Sequence, residues 1–258
     1  MQPRPIALRG APLAGGRLPA ICAPLVARGP QALAAEARAV AAKQPDLLEW
    51  RVDFFENIAD AHAVLAAARE LRAAAGGIPI LFTRRARREG GQPIAMSEAQ
   101  VVALYEAIAA SGAVDLMDFE MDNDRADVER VRAATRRHGL PLVLSFHDFQ
   151  RTPASADLAA RFAQAQELGA DVAKVAVMPQ SIEDVHRLLG ATLQASSALA
   201  IPVISMSMGG LGAVSRLCGG VFGSALTFAV GSAPSAPGQI AIEEVRAALR
   251  TLQAATAG

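Results

Sequence analysis

The sequence has no net charge and no long basic or apolar run. Its formal net charge at pH 7 is zero, and its longest basic block, residues 84–88, is too short to indicate a nucleic-acid-binding surface. No apolar run approaches the ~18 residues that a membrane span requires. Prolines and glycines interrupt residues 1–16, so no signal-peptide core forms there. We therefore expect a soluble, cytoplasmic protein with no nucleic-acid or membrane partner.

Cysteines and nucleotide-binding motifs are also scarce. Cys22 and Cys218 are the only cysteines, and their wide separation gives no metal-ligand spacing, so we expect free thiols in a reducing compartment. No G-x-G-x-x-G motif follows the first strand-like run, which counts against a dinucleotide-binding fold. Neither a metal nor an organic cofactor is expected.

Lysine is the rarer cation of this chain. Lysine and arginine total 25 residues, yet only Lys43 and Lys174 are lysine. Lys174 lies in residues 170–179, an apolar run with the β-branched composition of a strand buried on both faces. A desolvated lysine can lose its proton and attack a carbonyl, whereas arginine stays charged. Lys174 is therefore a candidate Schiff-base nucleophile. The alternative is a core lysine whose ammonium extends to solvent at the strand end.

Short apolar runs alternate with longer segments of helical periodicity along the chain. The strand-like runs are residues 20–26, 47–52, 78–83, 114–120, 141–147, 172–177, 201–206 and 221–228. The helical segments are residues 31–43, 59–75, 97–111, 126–138, 155–168, 182–194, 211–218 and 239–253. Eight such repeats predict an α/β fold, a (β/α)8 TIM barrel. We expect one domain over residues 1–258, with residues 1–19 as an N-terminal extension or short hairpin.

Charged residues gather at the C-terminal ends of the predicted strands, where the active sites of such barrels lie. Strand alternation places Glu49, Arg51 and Asp53 on one face, directed into the barrel. Buried charges are costly unless they pair or bind a ligand. These residues therefore predict a ligand site or, alternatively, an internal Glu49–Arg51 ion pair that only closes the barrel.

Further charges surround the third and fourth strands. Residues 82–91 contain four arginines and Glu89, and we expect most of these arginines to be solvated. Asp115, Asp118 and Glu120 occur in the fourth strand, where they are expected to pair with neighbouring arginines.

His147 differs from the other histidines because it lies at a strand end. His62, His138 and His186 fall in helical segments and are expected at the surface. The near-neutral pKa of histidine suits His147 for proton transfer beside Lys174. The alternative is a core histidine whose ring is hydrogen-bonded to backbone.

The last two strands precede loops with the composition of binding loops. Met206 and Met208 suit a soft ligand wall, although they suit core packing equally well. The glycines of residues 209–212 are typical of phosphate-binding loops in barrels. Residues 231–239 have the small-residue composition of a mobile lid, in which Ser235 and Gln239 offer hydrogen-bond donors.

Together these stretches resemble type I 3-dehydroquinate dehydratase, the Schiff-base enzyme of the shikimate pathway. The matching segments are residues 49–53, 81–85, 89–91, 145–149, 170–180, 205–208, 215–216, 222–228 and 235–239. They occur in order and cover the chain from about residue 20 to its C-terminus. Pro24 and Ala229 depart from the family pattern, which often has Ser and Gly there, without removing a group that the mechanism needs.

The resemblance implies a hydro-lyase that converts 3-dehydroquinate to 3-dehydroshikimate by syn elimination of water, with no cofactor. It implies that Lys174 forms an imine with the substrate, that His147 transfers protons and that Glu89 orients His147. The implied substrate-binding residues are Glu49, Arg51, Arg85, Met206, Met208, Arg216, Phe228, Ser235, Ala236 and Gln239. A homodimer is implied as well.

Two other functions share part of this pattern. A Schiff-base aldolase acting on a phosphorylated sugar would use Lys174 and the glycines of residues 209–212, but it leaves Arg216 without a role. A non-catalytic barrel that binds a small carboxylate would be favoured by loss of the lysine or the histidine, and both are present.

Overall fold

The computed structural model describes residues 5–9, 11–14 and 18–256. The strands are β1 (Ile6–Leu8), β2 (Ala11–Leu13), β3 (Ala20–Leu25), β4 (Leu47–Arg51), β5 (Ile80–Thr83), β6 (Leu116–Glu120), β7 (Leu142–Asp148), β8 (Val172–Val177), β9 (Val203–Ser207), β10 (Leu226–Val230) and β11 (Ile240–Ala241). The helices are α1 (Pro30–Ala41), α2 (Ala61–Ala74), α3 (Glu98–Ser111), α4 (Arg125–Arg137), α5 (Ser155–Glu167), α6 (Ile182–Ala198), α7 (Ala213–Cys218) and α8 (Ile242–Thr256). None of the described helices is long and apolar enough to cross a membrane.

The parallel strands form one curled sheet in the order β11-β10-β3-β4-β5-β6-β7-β8-β9. A parallel bridge between Val203 of β9 and Ser224, just before β10, brings the two ends of the sheet together. The predicted (β/α)8 barrel is confirmed. The hairpin predicted within residues 1–19 is also confirmed, as the antiparallel pair β1–β2, while residues 1–4, 10 and 15–17 of that extension lie outside the described part.

Helix ends follow the local chemistry of the sequence. The hydroxyl of Ser97 accepts a hydrogen bond from the Gln100 amide, and the Gln100 side chain accepts one from the Ser97 amide, which forms a capping box at the start of α3. The predicted eighth strand, residues 221–228, is wrong in its first half. Gly219–Phe222 form a 3-10 helix, and Gly223 turns the chain at φ +96°, so β10 begins at Leu226.

Two apolar clusters form the core and determine which end of the barrel is left for polar residues. An outer cluster lies between strands and helices and contains edge-to-face ring pairs linking Trp50, Phe82, Tyr105 and Phe119. An inner cluster fills the N-terminal end of the barrel, where Leu8 and Leu13 of the hairpin pack with residues from the early part of the strands, and it extends to Ala176, Met206 and Phe228 at the cleft. Because apolar side chains fill that end, the inward-facing polar residues collect at the C-terminal end.

Candidate active site

A cleft opens at the C-terminal end of the barrel between the strand ends and the loop that follows β10. Residues from six of the barrel strands and the loops that follow them line it. They are Glu49, Arg51, Arg85, Glu89, Gly90, His147, Phe149, Lys174, Ala176, Met206, Phe228, Ser235, Ala236 and Gln239. Eleven of the thirteen site residues predicted from the sequence line this cleft. The other two, Met208 and Arg216, are buried and do not line it.

Lys174 lies in the middle of β8 with 3% of its surface exposed. Its ammonium nitrogen donates to Oδ2 of Asp118 at 2.8 Å and lies 3.8 Å from Oε1 of Glu49. The same nitrogen lies 4.5 Å from the ring centroid of Phe228, within cation–π range. The amine is therefore held inside the barrel by two carboxylates and a ring, and it does not extend to solvent as the alternative interpretation required.

Arg85 is buried beneath the cleft and binds both carboxylates of β6. It lies 2.7 Å from Asp118 and 3.0 Å from Glu120, and it also donates to the hydroxyl of Ser145 at 2.8 Å. Burial alone would lower the pKa of Arg85, but the surrounding carboxylates, Asp118 first, raise it above its ordinary value. Arg85 is therefore a fixed positive charge in this site.

The prediction that most arginines of residues 82–91 are solvated is wrong for Arg84 and Arg85. Arg84 and Arg85 are buried, whereas Arg87 and Arg88 are exposed. Arg84 pairs with Glu98 on α3, and Arg85 pairs with the β6 carboxylates as predicted. The guanidinium groups of Arg84 and Arg85 each have a carboxylate partner, which offsets the cost of removing them from water.

His147 and Glu89 form a pair on the wall beside Lys174. Nδ1 of His147 lies 2.8 Å from Oε2 of Glu89, and both side chains are at most 9% exposed. Burial raises the pKa of Glu89 to about 8, although Arg85 partly opposes that shift. Burial, together with the positive charges of Arg85 and Lys174, holds the pKa of His147 well below its ordinary value. Burial therefore disfavours the charged form of both groups, and the hydrogen bond between them gives a proton a direct path from one to the other, which suits the pair to proton transfer.

The short turn that carries Glu89 is fixed by close backbone packing. Arg87–Glu89 form a 3-10 helix that ends at Gly90. A Cβ atom on Gly91 would lie 1.8 Å from the carbonyl oxygen of Arg85. The loop can therefore fold tightly enough to direct Arg85 and Glu89 into the cleft only with glycine at this position.

Arg51 pairs with Asp53 and not with Glu49, so the alternative of a Glu49–Arg51 ion pair is wrong. The guanidinium makes two hydrogen bonds of 2.8 Å to the Asp53 carboxylate. Burial alone would raise the pKa of Asp53. The ion pair with Arg51 and the hydrogen bonds that the Asp53 carboxylate accepts from the amides of Gln92 and Arg85 outweigh burial and lower that pKa. Glu49 instead accepts from the hydroxyl of Thr83 at 3.0 Å and faces Lys174.

Arg216 lies on α7 behind the cleft wall and is 1% exposed. Its guanidinium donates to the carbonyl of Pro237 at 2.9 Å and contacts the sulfur of Met206 at 3.9 Å. Burial lowers its pKa to about 10, and its Nε has no hydrogen-bond partner among the described residues. Arg216 is therefore a buried cation with no carboxylate pair in the described structure and with donor capacity left for an anion.

The loop of residues 231–239 covers the cleft. Ser235 and Gln239 bind each other through two hydrogen bonds, and Ala236 lies between them on the cleft wall. Arg51 also approaches the carbonyl of Ser235 at 3.5 Å. Met208 is 1% exposed and does not line the cleft.

Sequence reasoning missed three residues that line the cleft, Gly90, Ala176 and Phe149, and the role of Asp118 beneath it. Asp118 was expected only as an arginine partner, yet it also binds Lys174. Ala176 follows Lys174 by two residues and shares its inward face, a signal that strand alternation could have given. Phe149 follows β7 and packs over Gly90, a contact that no local pattern predicts.

The described residues contain no cluster of three or more histidine, cysteine, aspartate or glutamate side chains that could hold a metal ion. The cleft instead combines a buried amine, an imidazole–carboxyl pair and a set of arginines. An amine can add to a ketone, the imidazole can move protons, and the arginines can hold a carboxylate and hydroxyl groups. The arrangement is therefore suited to imine chemistry on an anionic ketone.

Comparisons with known proteins agree with this chemistry. A family model described as type I 3-dehydroquinase matches residues 21–256. The 3-dehydroquinate dehydratase of Albidiferax ferrireducens is 54% identical over 252 residues, which cover 98% of this chain and 96% of that protein. The crystal structure of 3-dehydroquinate dehydratase from Geobacillus kaustophilus is 53% identical with a TM-score of 0.95, covering 98% of each chain. That of the type I enzyme from Clostridium difficile with covalently modified comenic acid is 37% identical with a TM-score of 0.93, covering 98% of this chain and 99% of that one.

Proposed function

The chain belongs to the type I 3-dehydroquinase family, hydro-lyases of the shikimate pathway that dehydrate 3-dehydroquinate, and we propose that Lys174, His147 and Glu89 are its catalytic residues. The observation that carries this proposal is the buried amine of Lys174 in a cleft that also holds the His147–Glu89 pair. A phosphorylated-sugar aldolase would leave that pair and Arg216 unused.

In the proposed mechanism, Lys174 captures the substrate covalently. The Lys174 ammonium first gives a proton to His147, and the neutral amine then attacks the ketone carbon. The ketone oxygen takes up that proton and one from the amine and leaves as water, which gives a protonated imine. The imine withdraws electrons from the adjacent carbon and makes its C–H bond more acidic. The relative from Clostridium difficile was crystallised with covalently modified comenic acid, which agrees with a covalent step in this family.

His147 moves the protons of the reaction, and Glu89 holds the imidazole in place through its hydrogen bond to Nδ1. The ring takes the proton from the carbon next to the imine and returns one to the departing hydroxyl group, which leaves as water. The ring can take the substrate proton while one of its nitrogens is unprotonated, and it can donate that proton once it is charged. Hydrolysis of the product imine then releases 3-dehydroshikimate and restores Lys174.

The remaining cleft residues would bind the substrate. Arg216 would bind the substrate carboxylate. This role is supported by its Nε, which is unpaired among the described residues, and by its burial, which strengthens its electrostatic interactions. Ser235, Ala236 and Gln239 would close over the ring from the lid. The other proposed binding residues are Glu49, Arg51 and Arg85, which would hold ring hydroxyls, and Met206, Met208 and Phe228, which would pack against the ring.

Reductive trapping tests the proposal directly. The protein is incubated with 3-dehydroquinate and sodium borohydride, and the product is examined by intact-mass spectrometry and peptide mapping. We expect one reduced adduct, on the peptide that contains Lys174. Lys174→Ala should lose both the adduct and turnover, whereas Lys43→Ala, at the only other lysine, should keep the adduct. An unmodified wild-type protein, or an adduct that persists in Lys174→Ala, would exclude the covalent mechanism.

The proposal includes a homodimer in the cytoplasm, as the family resemblance implies. Exposed apolar side chains on and beside α7, which include Leu211, Val214 and Val221, offer a surface that self-association would cover. Light scattering coupled to size-exclusion chromatography should give about twice the 26.8 kDa of the chain. A mass equal to one chain at micromolar concentration would exclude the dimer, and cell fractionation would test the location.

A further inference from the structure

Asp118 occupies a distinctive place beneath the cleft because one carboxylate bridges two cations that come from different parts of the barrel. Its side chain is completely buried. Oδ2 accepts from the Lys174 ammonium at 2.8 Å, while Oδ1 accepts from Arg85 at 2.7 Å and from the Ser145 hydroxyl at 2.6 Å. With Arg85 and Ser145 fixing one oxygen, the other is directed at the Lys174 nitrogen.

We propose that Asp118 is a further catalytic residue, the counter-ion that stabilises the positive charge on the Lys174 nitrogen as ammonium before and as iminium after substrate capture. This inference rests on the proposed Schiff-base function of Lys174. It assigns to Asp118 a role in the reaction, in addition to its ion pair with Arg85.

The charge balance of the reaction favours a permanent counter-ion. An ammonium with three N–H bonds plus a ketone gives a protonated imine with one N–H bond plus one water molecule, so no net proton is gained or lost. The positive charge therefore stays on the same nitrogen, and the remaining N–H can still donate to Asp118. A charge that persists is best stabilised by a fixed partner that does not itself take the proton.

The surroundings of Asp118 keep it ionised. Burial alone would raise its pKa, but Arg85, Lys174 and His147 outweigh burial and hold the pKa below its ordinary value. Asp118 therefore carries charge and leaves proton transfer to the His147–Glu89 pair.

Other groups that face the Lys174 nitrogen do not replace Asp118. Glu49 on β4 lies farther away, at 3.8 Å, and already accepts from Thr83. Cys22 on β3 lies deeper in the barrel, where burial raises the pKa of its thiol, so it is uncharged at neutral pH. Glu120 binds Arg85 and the Ala86 amide instead of the lysine.

The test compares Asp118→Asn with Glu120→Gln. Both changes remove one fully buried carboxylate that pairs with Arg85, but only the first removes a partner of Lys174. Each protein is incubated with 3-dehydroquinate and cyanoborohydride, which reduces protonated imines, across pH 5–9. The yield of the Lys174 adduct and kcat are measured at each pH.

We expect Asp118→Asn to lower kcat by about 100-fold and to move the pH of half-maximal trapping down by about one unit, since a lost neighbouring charge shifts a pKa by ~1–3 units. Glu120→Gln should raise KM through Arg85 and leave the trapping midpoint unmoved. Equal midpoints and equal kcat losses in the two variants would overturn the counter-ion role while the Lys174 adduct stands. Absence of an adduct in the wild-type protein would instead overturn the proposed function and this inference with it.

Asp118→Glu provides a second test should the asparagine variant not fold. It keeps the charge but lengthens the side chain by one methylene, so kcat should fall while the trapping midpoint stays within about half a unit of wild type. A midpoint displaced downward in Asp118→Glu would mean that the carboxylate charge is not what holds the imine protonated, and the proposal would fail.

Discussion

Nδ1 of His147 lies 2.8 Å from Oε2 of Glu89 in a wall of the cleft that solvent hardly reaches. Burial affects the two groups in opposite directions, raising the pKa of the carboxyl to about 8 and lowering that of the imidazole. Burial therefore disfavours the charged form of each group. A proton that moves within the pair or to a bound substrate changes the charge that the cleft must stabilise.

The first prediction concerns His147. His147→Ala should lower kcat by ~10²–10⁴-fold, the usual contribution of a general acid–base step, while borohydride still traps some adduct on Lys174. Steady-state kinetics with 3-dehydroquinate and intact-mass spectrometry measure the two effects. His62→Ala, at an exposed histidine on α2, is the matched control and should retain full activity. A His147→Ala enzyme that turns over at the wild-type rate would remove the imidazole from the mechanism.

The second prediction is that ionisation of the buried Glu89 destabilises the folded protein at high pH. Its folded-state pKa, about 8, lies above its ordinary value of 4.5, so between those pH values the folded protein binds the proton more tightly than the unfolded chain. The stability associated with this group is present below about pH 4.5 and is lost as the pH rises toward 8. Glu89→Gln removes that loss, so the variant should have the higher Tm at pH 8, by a few degrees, although it is less active.

Thermal unfolding of wild type and Glu89→Gln at pH 5 and pH 8 measures this effect. The drop in Tm between the two pH values should be smaller in the variant. Glu70→Gln, at an exposed position on α2, should leave the wild-type drop unchanged. Parallel pH dependence in all three proteins would show that Glu89 ionises normally in the folded state.

Much of this structure follows from the local pattern of the sequence. Alternating apolar runs and helical segments predicted the barrel, and the position of Lys174 inside the strand-like run of residues 172–177 predicted a buried amine. Strand alternation also placed Glu49 inside the barrel. These features depend on residues close together in the chain, so they can be predicted from a single sequence.

Pairings between distant strands could not be predicted in the same way. The pair of Arg51 and Asp53 is local, since the two residues are two positions apart in the chain. Asp118 instead binds Lys174, which lies 56 residues later on another strand. The register and tilt of the barrel strands determine which carboxylate pairs with which cation. The sequence around Asp118 does not predict that register or tilt. The burial of Arg84 likewise depends on Glu98 of the following helix.

The third prediction concerns Arg216. Arg216→Lys keeps the charge but loses the planar fork that can bind a carboxylate through two hydrogen bonds. A hydrogen bond to a charged group contributes about 1.5–3 kcal/mol, so KM for 3-dehydroquinate should rise by about 10–100-fold, with a smaller change in kcat. Arg87→Lys, on the exposed part of the loop after β5, is the control. If both variants keep the wild-type KM, Arg216 does not bind the substrate carboxylate.

The fourth prediction tests the lid at Gly238. The cleft has about 40 Å³ of free space, far below the ~300–1,000 Å³ of typical ligand pockets, so the lid must open to admit the substrate and close again. In the described position Gly238 has φ +74°, and a Cβ atom there would lie 2.2 Å from the carbonyl oxygen of Gly209. Gly238→Ala should therefore prevent full closure and raise KM by about tenfold.

Gly139→Ala separates this effect from the general cost of adding a side chain at positive φ. Gly139 has a similar φ of +68° at the end of α4, but a Cβ atom there would meet nothing within 4 Å. Its substitution should cost about 1 kcal/mol of stability and lower Tm by about 2–4 °C, with no change in KM. Gly238→Ala should show the reverse, because the lid adds little to the core while its carbonyl at Pro237 accepts from Arg216. A KM increase of the same size in both variants would mean that loss of overall stability, and not lid closure, accounts for the effect.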